Sequence, residues 1–185
     1  EILIGLVGSE MCIRDSFWDE EKGAYIDSFT SGKRNVTRHA NIFAILFDIA
    51  DKQKQEKILK NVLENDEIPA ITTPYFNFFE LDVLCQMGKL TEVLDKIRSY
   101  WGGMLDLGAV TFWEEYDPSV PKEEQYDMYG DHFGKSLCHA WAASPIYFLA
   151  KYFAGLDLVN KDGVTYVLKP QMQYFTDLDC TLPVG

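Results

Sequence analysis

The chain has 185 residues, of which 47% are hydrophobic, 14% aromatic and 25% charged. This composition supports one well-buried domain, or one domain and part of another, and excludes an intrinsically disordered chain. The net charge of −12 disfavours nucleic acid and anionic membranes as partners, and no apolar run reaches the roughly 18 residues of a membrane-spanning helix. The sequence therefore predicts a soluble protein with a neutral ligand.

The first sixteen residues, EILIGLVGSEMCIRDS, carry no periodicity that continues into the following sequence. They resemble translated sequencing-adapter readthrough in metagenomic gene models, and we interpret residues 1–16 as a non-native leader. A disordered or strand-like leader is the alternative. The coherent part of the sequence begins at Phe17.

A first helical hairpin is predicted over residues 38–64. Apolar Ile42, Leu46 and Ile49 recur at helical spacing and predict a helix to about residue 51. Residues 52–64 predict the returning helix, with apolar side chains on one face and charges on the other. The polar run at residues 37–41 either caps the first helix or faces a cleft, and capping is favoured.

A second hairpin follows. A threonine hydroxyl before Pro74 is expected to cap a helix that runs to about residue 87, where Gly88 suits a left-handed C-cap. Apolar spacing over residues 90–101 predicts the returning helix, which is expected to end before Gly102 and Gly103.

Residues 133–154 are apolar nearly all round and predict one long, buried inner helix. Pro145 is expected to kink this helix or to mark a helix start, because its ring removes a backbone hydrogen bond. After Gly155 the period changes to two, so strands are predicted, with a domain boundary near Leu158. Successive hairpins at a nearly constant interval favour a solenoid or a closed α/α toroid.

The connection between residues 105 and 133 is roughly 28 residues long, well beyond the 12–15 at which loops become uncommon. Such loops are usually functional. This one combines eight acidic residues with His132 and six aromatic residues, namely Phe112, Trp113, Tyr116, Tyr126, Tyr129 and Phe133. Acids among flat apolar rings are typical of a sugar subsite.

Carboxyl groups at the centre of this connection are candidates for catalysis. Glycosidic hydrolysis uses one carboxyl group as acid and another as base or nucleophile. Glu114 and Glu115 lie between Trp113 and Tyr116, so either glutamate is a candidate for one of these groups. The alternative is that both are solvated loop acids.

Further along the chain, His139 is either a core residue or a ligand of sugar hydroxyl groups. Tyr75 belongs to an aromatic cluster that is either core or the lining of a ligand cleft. No cofactor or metal is predicted, because the four cysteines and the histidines lack ligand spacing. Reduced, widely separated cysteines favour the cytoplasm. The cysteines are Cys12, Cys85, Cys138 and Cys180.

Three stretches, TPYFNFFELDVLCQMG, IRSYWGGMLDLGAVTFWEEYDP and FGKSLCHAWAASPIYFLAKYFAGL, resemble consecutive stretches of bacterial α-L-rhamnosidases of glycoside hydrolase family 78. The T-x-W-E and CHAW-x-x-SP elements are the specific part of the resemblance, which covers about residues 17–185. It implies a mainly α fold in which residues 17–158 are the C-terminal half of an (α/α)6 toroid. Residues 159–185 would begin a β-sandwich domain.

The resemblance also implies the activity, which is inverting release of terminal α-L-rhamnose from a glycoside. By motif, Glu114 corresponds to the general base, with Glu115 as the alternative if the register differs by one. His139 corresponds to a residue that contacts rhamnose, Trp113 shapes the pocket of the base, and Tyr75 is a further candidate for substrate binding.

The family's general acid belongs to an upstream motif that this sequence lacks. Because an inverting site needs two carboxyl groups roughly 6.5–9.5 Å apart, the chain alone is expected to be inactive and to be a fragment of the enzyme. It is also expected to self-associate through uncovered apolar faces. Two alternatives remain: a non-catalytic sugar-binding or scaffold role, and a toroidal glycosidase acting on another sugar.

Overall fold

The computed structural model describes residues 13–158 and 165–181. The described part is mainly helical, which confirms the predicted fold class, and it divides into two compact units. Unit 1 is drawn from residues 1–71 and unit 2 from residues 72–185. Most of the predicted leader, residues 1–12, lies outside the described residues.

Unit 1 contains a short β-hairpin and a helical hairpin. Its strands are antiparallel, with Trp18 opposite Tyr25. The elements are β1 (Trp18–Asp19), β2 (Ala24–Tyr25), α1 (Arg38–Leu46) and α2 (Lys52–Ile58), and α2 continues into a π-helical turn, Leu59–Leu63. The predicted first hairpin is thus confirmed.

Helix α1 differs from the prediction at both ends. It ends at Leu46 rather than near residue 51, because Asp48 has a φ of 55°, outside the helical region. The capping prediction is wrong for Thr37, which makes no side-chain cap bond. Its hydroxyl instead donates to Asp27 Oδ1 at 2.7 Å. The side chain of Asp51 caps the following helix by accepting from the Lys54 amide.

A buried amide joins α1 to the strands of unit 1. The side chain of Asn41 is fully buried. Its Oδ1 accepts from the Tyr25 amide at 2.8 Å, and its Nδ2 donates to the Tyr25 and Thr37 carbonyl oxygens, both at 2.9 Å. Apolar Ile42, Ile58 and Val62, none of them exposed, pack the hairpin around this amide.

Unit 2 begins with the second helical hairpin, α3 (Pro74–Gln86) and α4 (Leu90–Lys96). The C-cap prediction is confirmed, since Gly88 has a φ of 74°. The capping prediction before Pro74 is wrong, because Thr73 at the N-cap makes no side-chain cap bond.

The prediction that α4 ends before two glycines is also wrong. The helix continues through Ile97–Trp101 and Gly102–Asp106. The ring of Tyr116 lies against Gly103, and a Cβ atom at this position would be only 2.6 Å from Tyr116 Cζ. A residue with a side chain would therefore collide with the ring. The glycine therefore provides space for a neighbouring side chain.

The prediction of one long inner helix over residues 133–154 is wrong in its first half. A short 3₁₀ turn, Ala140–Ala142, precedes α5 (Ser144–Phe148), which continues as Leu149–Phe153. The prediction that Pro145 marks a helix start is confirmed, since it lies in the first turn of α5. Residues 136 and 139 form backbone hydrogen bonds with the preceding connection, and this pairing excludes a helix there.

Helix α5 is not buried all round. Phe148 and Phe153 are almost fully buried, whereas Ile146 is 62% exposed and Leu149 is 38% exposed. One face of the helix therefore packs in unit 2 and the other is open. The predicted self-association stays a prediction.

Two short antiparallel strands follow, β3 (Leu156–Leu158) and β4 (Tyr166–Leu168). The strand predicted over residues 164–168 is described at Tyr166–Leu168, and Val164 lies outside the described residues. The predicted boundary near Leu158 and the β-sandwich domain stay predictions. Among the described residues, no helix has the length and apolar character needed to cross a lipid bilayer.

Candidate active site

The candidate site is built from two extended segments of the long connection that follows α4. Residues 111–114 lie beside residues 136–139 and are joined to them by hydrogen bonds. The His139 amide donates to the Phe112 carbonyl oxygen at 2.8 Å, and the Glu114 amide donates to the Ser136 carbonyl oxygen at 2.9 Å. This pairing brings two predicted site residues, Glu114 and His139, to the same place.

The carboxylate of Glu114 is held by one oxygen. Its Oε2 accepts from the Ser136 amide at 3.0 Å and lies 3.9 Å from His139 Nδ1. The side chain of Glu114 is 12% exposed. Within the described part of the chain, Oε1 has no hydrogen-bond partner. The arrangement thus fixes the carboxylate and leaves one oxygen as an acceptor.

Glu115 is held differently. Its Oε1 accepts from the Thr72 hydroxyl at 2.9 Å, so its carboxylate ties the connection to the residues before α3. The next amide, that of Tyr116, donates to the Thr72 carbonyl oxygen and to the Tyr100 hydroxyl, both at 3.2 Å. Tyr100 is buried, and this burial raises the pKa of its hydroxyl. The two adjacent glutamates therefore have separate surroundings.

Trp113 lies under the connection and not on its surface. It is 3% exposed, and its ring packs edge-on against Tyr126, with centroids 5.6 Å apart. Burial of this indole fixes the backbone immediately before Glu114. Trp113 therefore positions the glutamate through packing.

An aromatic group extends from His139. Its ring centroid lies 4.2 Å from that of Trp141, which lies 5.4 Å from the ring of Tyr75. Both Trp141 and Tyr75 are 44% exposed, so they can contact a ligand. Tyr75 is thus connected to the site through Trp141, a residue to which the sequence analysis assigned no role.

Lys135 is a second residue that sequence analysis missed. It is buried, with 8% exposure. Burial lowers the pKa of its ammonium group, and the surrounding carboxylates act in the opposite direction. These are, from the largest effect to the smallest, Glu115, Asp117, Glu114 and Asp127. The local sequence gave no signal for its burial, because Lys122 lies in the same acidic connection and is exposed.

The described residues contain no group of three His, Cys, Asp or Glu side chains arranged to hold a metal ion. Cys85 is a buried free thiol whose pKa is raised by burial to about 12, and Cys138 and Cys180 are exposed free thiols. Cys12 lies outside the described residues.

Comparison with known proteins identifies relatives of this fold and site. Residues 10–153 match the profile of the bacterial alpha-L-rhamnosidase six-hairpin glycosidase domain. A solved structure of a rhamnosidase from Klebsiella oxytoca with rhamnose bound is similar, with 32% sequence identity and a TM-score of 0.68. The match covers 77% of this chain and 27% of that one. Curated proteins give no significant match.

The profile match spans most of the chain, and the mainly helical structure agrees with part of an α/α toroid. The chain therefore belongs to the family of bacterial α-L-rhamnosidase six-hairpin glycosidase domains.

Proposed function

We propose that this chain supplies the general base of an inverting α-L-rhamnosidase, which releases terminal α-L-rhamnose from glycosides. Glu114 is the base, and the general acid comes from a part of the protein outside this sequence. The rhamnose bound to the Klebsiella relative and the family membership support this substrate.

The observation that carries the proposal is the state of the Glu114 carboxylate. A general base must be held in position and still have an acceptor atom for the proton of water. The Ser136 amide holds Oε2 of Glu114, while Oε1 is without a partner among the described residues. The carboxylate of Glu115 is instead bonded to the Thr72 hydroxyl, which favours Glu114 as the base.

The neighbouring residues have positioning and binding roles in this proposal. His139, 3.9 Å from the Glu114 carboxylate, contacts hydroxyl groups of the rhamnose. Trp113 holds the backbone of the base, and Tyr75 with Trp141 offers a flat surface to the sugar. No step uses a metal or cofactor.

Because Glu114 cannot both protonate the leaving group and activate water in an inverting reaction, and the proposed acid lies outside this sequence, we expect the chain alone to be inactive. Activity therefore has to be measured on the full-length protein that carries it. The substrate is p-nitrophenyl α-L-rhamnoside, and release of p-nitrophenol gives the rate.

We expect Glu114→Gln to lower kcat by about 10²- to 10⁴-fold, since it removes the base and keeps the shape. The matched control is Glu115→Gln, which weakens one hydrogen bond and should cost about tenfold or less. Proton NMR of the first product should show the β-anomer of rhamnose, as inversion requires.

Other results would contradict specific parts of the proposal. A larger loss in Glu115→Gln would transfer the role of base to Glu115. Full activity in Glu114→Gln would show that Glu114 is not the base and would leave this chain with a sugar-binding role. Absence of cleavage by the wild-type protein would favour a glycosidase that acts on another sugar. Circular dichroism of both variants checks that they are folded.

A further inference from the structure

The hydrogen bonds that pair residues 111–114 with residues 136–139 join two parts of the same connection. They do not attach either part to the helices. Within the described part of the chain, residues 111–117 form hydrogen bonds outside the connection only with Thr72 and Tyr100. These are therefore the hydrogen bonds that hold the segment with the candidate base against α4 and the residues before α3.

Tyr100 lies on the continuation of α4 and is 7% exposed. Its hydroxyl donates to the Thr72 carbonyl oxygen and accepts from the Tyr116 amide at 3.2 Å. Its ring packs edge-on against that of Tyr116, with centroids 5.5 Å apart. This one side chain thus joins α4 and the residues before α3 to the second residue after Glu114.

Thr72 holds the same stretch at two points. Its hydroxyl donates to Glu115 Oε1 at 2.9 Å, and its carbonyl oxygen accepts from the Tyr116 amide at 3.2 Å. Glu114 lies directly before these two residues, and the buried Trp113 lies directly before Glu114. The backbone of the candidate base is therefore fixed on both sides, by packing on one side and by hydrogen bonds on the other.

The segment that carries His139 has a separate attachment. The indole nitrogen of Trp101 donates to the Ala142 carbonyl oxygen at 2.9 Å, three residues after His139. Tyr100 and Trp101, which are adjacent, thus hold different segments of the site. Loss of the Tyr100 hydroxyl should therefore affect the candidate base more than the histidine that contacts the sugar in the proposed function.

We propose that Tyr100 and Thr72 are positioning residues for Glu114, which act on the reaction through its carboxylate. This inference rests on the proposed function, because the position of Glu114 matters to the rate only if it acts as the base. A general base must lie within hydrogen-bond reach of the water that it deprotonates, and a misplacement of about 1 Å can lower a rate about 100-fold. The two residues therefore contribute to kcat and not to sugar binding.

The test measures kcat and KM of the full-length protein with p-nitrophenyl α-L-rhamnoside, and the dissociation constant of rhamnose by calorimetry. Tyr100→Phe keeps the buried ring and removes the hydroxyl. We expect kcat to fall about tenfold, with KM and the dissociation constant within about twofold of the wild-type values. In a Glu114→Ala background the same change should lower the residual kcat by less than about twofold, because residues that act as a unit have non-additive effects.

Tyr152→Phe is the matched control for the loss of a hydroxyl group. The Tyr152 hydroxyl donates to Asp82 Oδ1 at 3.2 Å, so this change removes a bond between side chains of α5 and α3 in the same unit. The kcat of this variant should stay within about twofold of the wild-type value. Urea denaturation of every variant checks that it is folded.

Thr72 provides a second test that does not depend on the folding of Tyr100→Phe. Thr72→Val removes the bond to Glu115 and should lower kcat about threefold, again with little effect in the Glu114→Ala background. Thr72→Ser keeps the hydroxyl and should restore kcat to within about twofold of the wild-type value.

The contrary results separate this inference from the proposed function. An unchanged kcat in Tyr100→Phe or in Thr72→Val would overturn the role of that residue and leave the proposed function intact. An equal fall in kcat on the wild-type and Glu114→Ala backgrounds would indicate general damage to the fold and would overturn the inference. A rise in the dissociation constant of rhamnose as large as the fall in kcat would also overturn it. Full activity in Glu114→Ala would contradict the proposed function and this inference with it.

Discussion

The helical hairpin of unit 1 and the long connection of unit 2 both bury polar side chains, but they use them differently. In unit 1, the amide of Asn41 uses both its oxygen and its nitrogen on backbone groups. In the connection, Glu114 uses one carboxylate oxygen on the Ser136 amide, and its other oxygen is unpartnered among the described residues. The first arrangement satisfies the side chain within the fold, whereas the second leaves one acceptor free, which the proposed role of Glu114 as base requires.

Aromatic residues show the same contrast. Trp18 and Tyr25 pair edge-on in unit 1 with centroids 5.0 Å apart, and both are buried. In the connection, buried Trp113 begins a row of rings that ends at exposed Phe133. The two regions therefore contain similar polar and aromatic side chains, but unit 1 buries these examples whereas the connection leaves a carboxylate oxygen without a partner among the described residues and leaves Phe133 exposed.

The largest expected effect tests the structural half of this comparison. Asn41→Leu removes three hydrogen bonds and leaves the buried Tyr25 amide without its acceptor, so we expect a loss of about 3 kcal/mol in the free energy of unfolding. Urea denaturation measures the change. The control is Asn61→Ala, which removes an exposed bond to the Lys22 carbonyl oxygen and should cost about 1 kcal/mol or less. Equal losses in the two variants would contradict a special role for the buried amide.

A second prediction concerns the pH dependence of unit 1. Burial, followed by the charge of Asp51, raises the pKa of Tyr25 from 10.0 to about 12. The unfolded chain therefore loses this proton first, so the stabilising contribution is complete below pH 10 and is lost as the pH rises to about 12. Tyr25→Phe should match the wild-type protein at pH 8 and exceed its stability by up to about 2 kcal/mol near pH 12.

Urea denaturation at a series of pH values measures this difference. Tyr129→Phe is the matched control, because Tyr129 lies in the connection and is 86% exposed. Its alkaline unfolding curve should coincide with that of the wild-type protein. A constant difference between Tyr25→Phe and the wild-type protein across the pH series would show that Tyr25 does not cause the alkaline loss.

The sequence predicted the elements that depend on local patterns. Apolar spacing located both helical hairpins, and Gly88 at the end of α3 has the left-handed backbone that its position indicated. The errors arose where distant residues decide the structure. Residues 133–143 are apolar enough for a helix, yet the Ser136 carbonyl oxygen and the His139 amide are paired with the segment around Glu114.

The same limitation applies to the candidate site. Residue types alone did not decide whether Glu114 is a catalytic or a solvated acid, or whether His139 is a core residue or a ligand residue. Their proximity depends on contacts between segments more than 20 residues apart. The resemblance to α-L-rhamnosidases supplied their roles, whereas nothing in the local pattern indicated the buried Lys135.

The smallest expected effect concerns the two glycines that were expected to end α4. Gly102 and Gly103 are both helical, but only Gly103 faces another side chain, that of Tyr116 in the connection. Gly102→Ala should raise the free energy of unfolding by up to about 1 kcal/mol, because alanine is the better helix former and open space surrounds the site. In Gly103→Ala, the same gain is offset by overpacking against the ring, which costs about 1–3 kcal/mol.

We therefore expect opposite signs from adjacent, chemically identical substitutions, with Gly103→Ala destabilised by about 1 kcal/mol. Thermal unfolding of the two variants side by side measures the difference. Because Tyr116 follows Glu115, displacement of its ring should also lower the activity of the full-length protein in Gly103→Ala and not in Gly102→Ala. Stabilisation by both substitutions would mean that the Tyr116 ring moves aside freely. The connection would then be held by the bonds of the Tyr116 amide to the Thr72 carbonyl oxygen and the Tyr100 hydroxyl, and not by packing on the glycine.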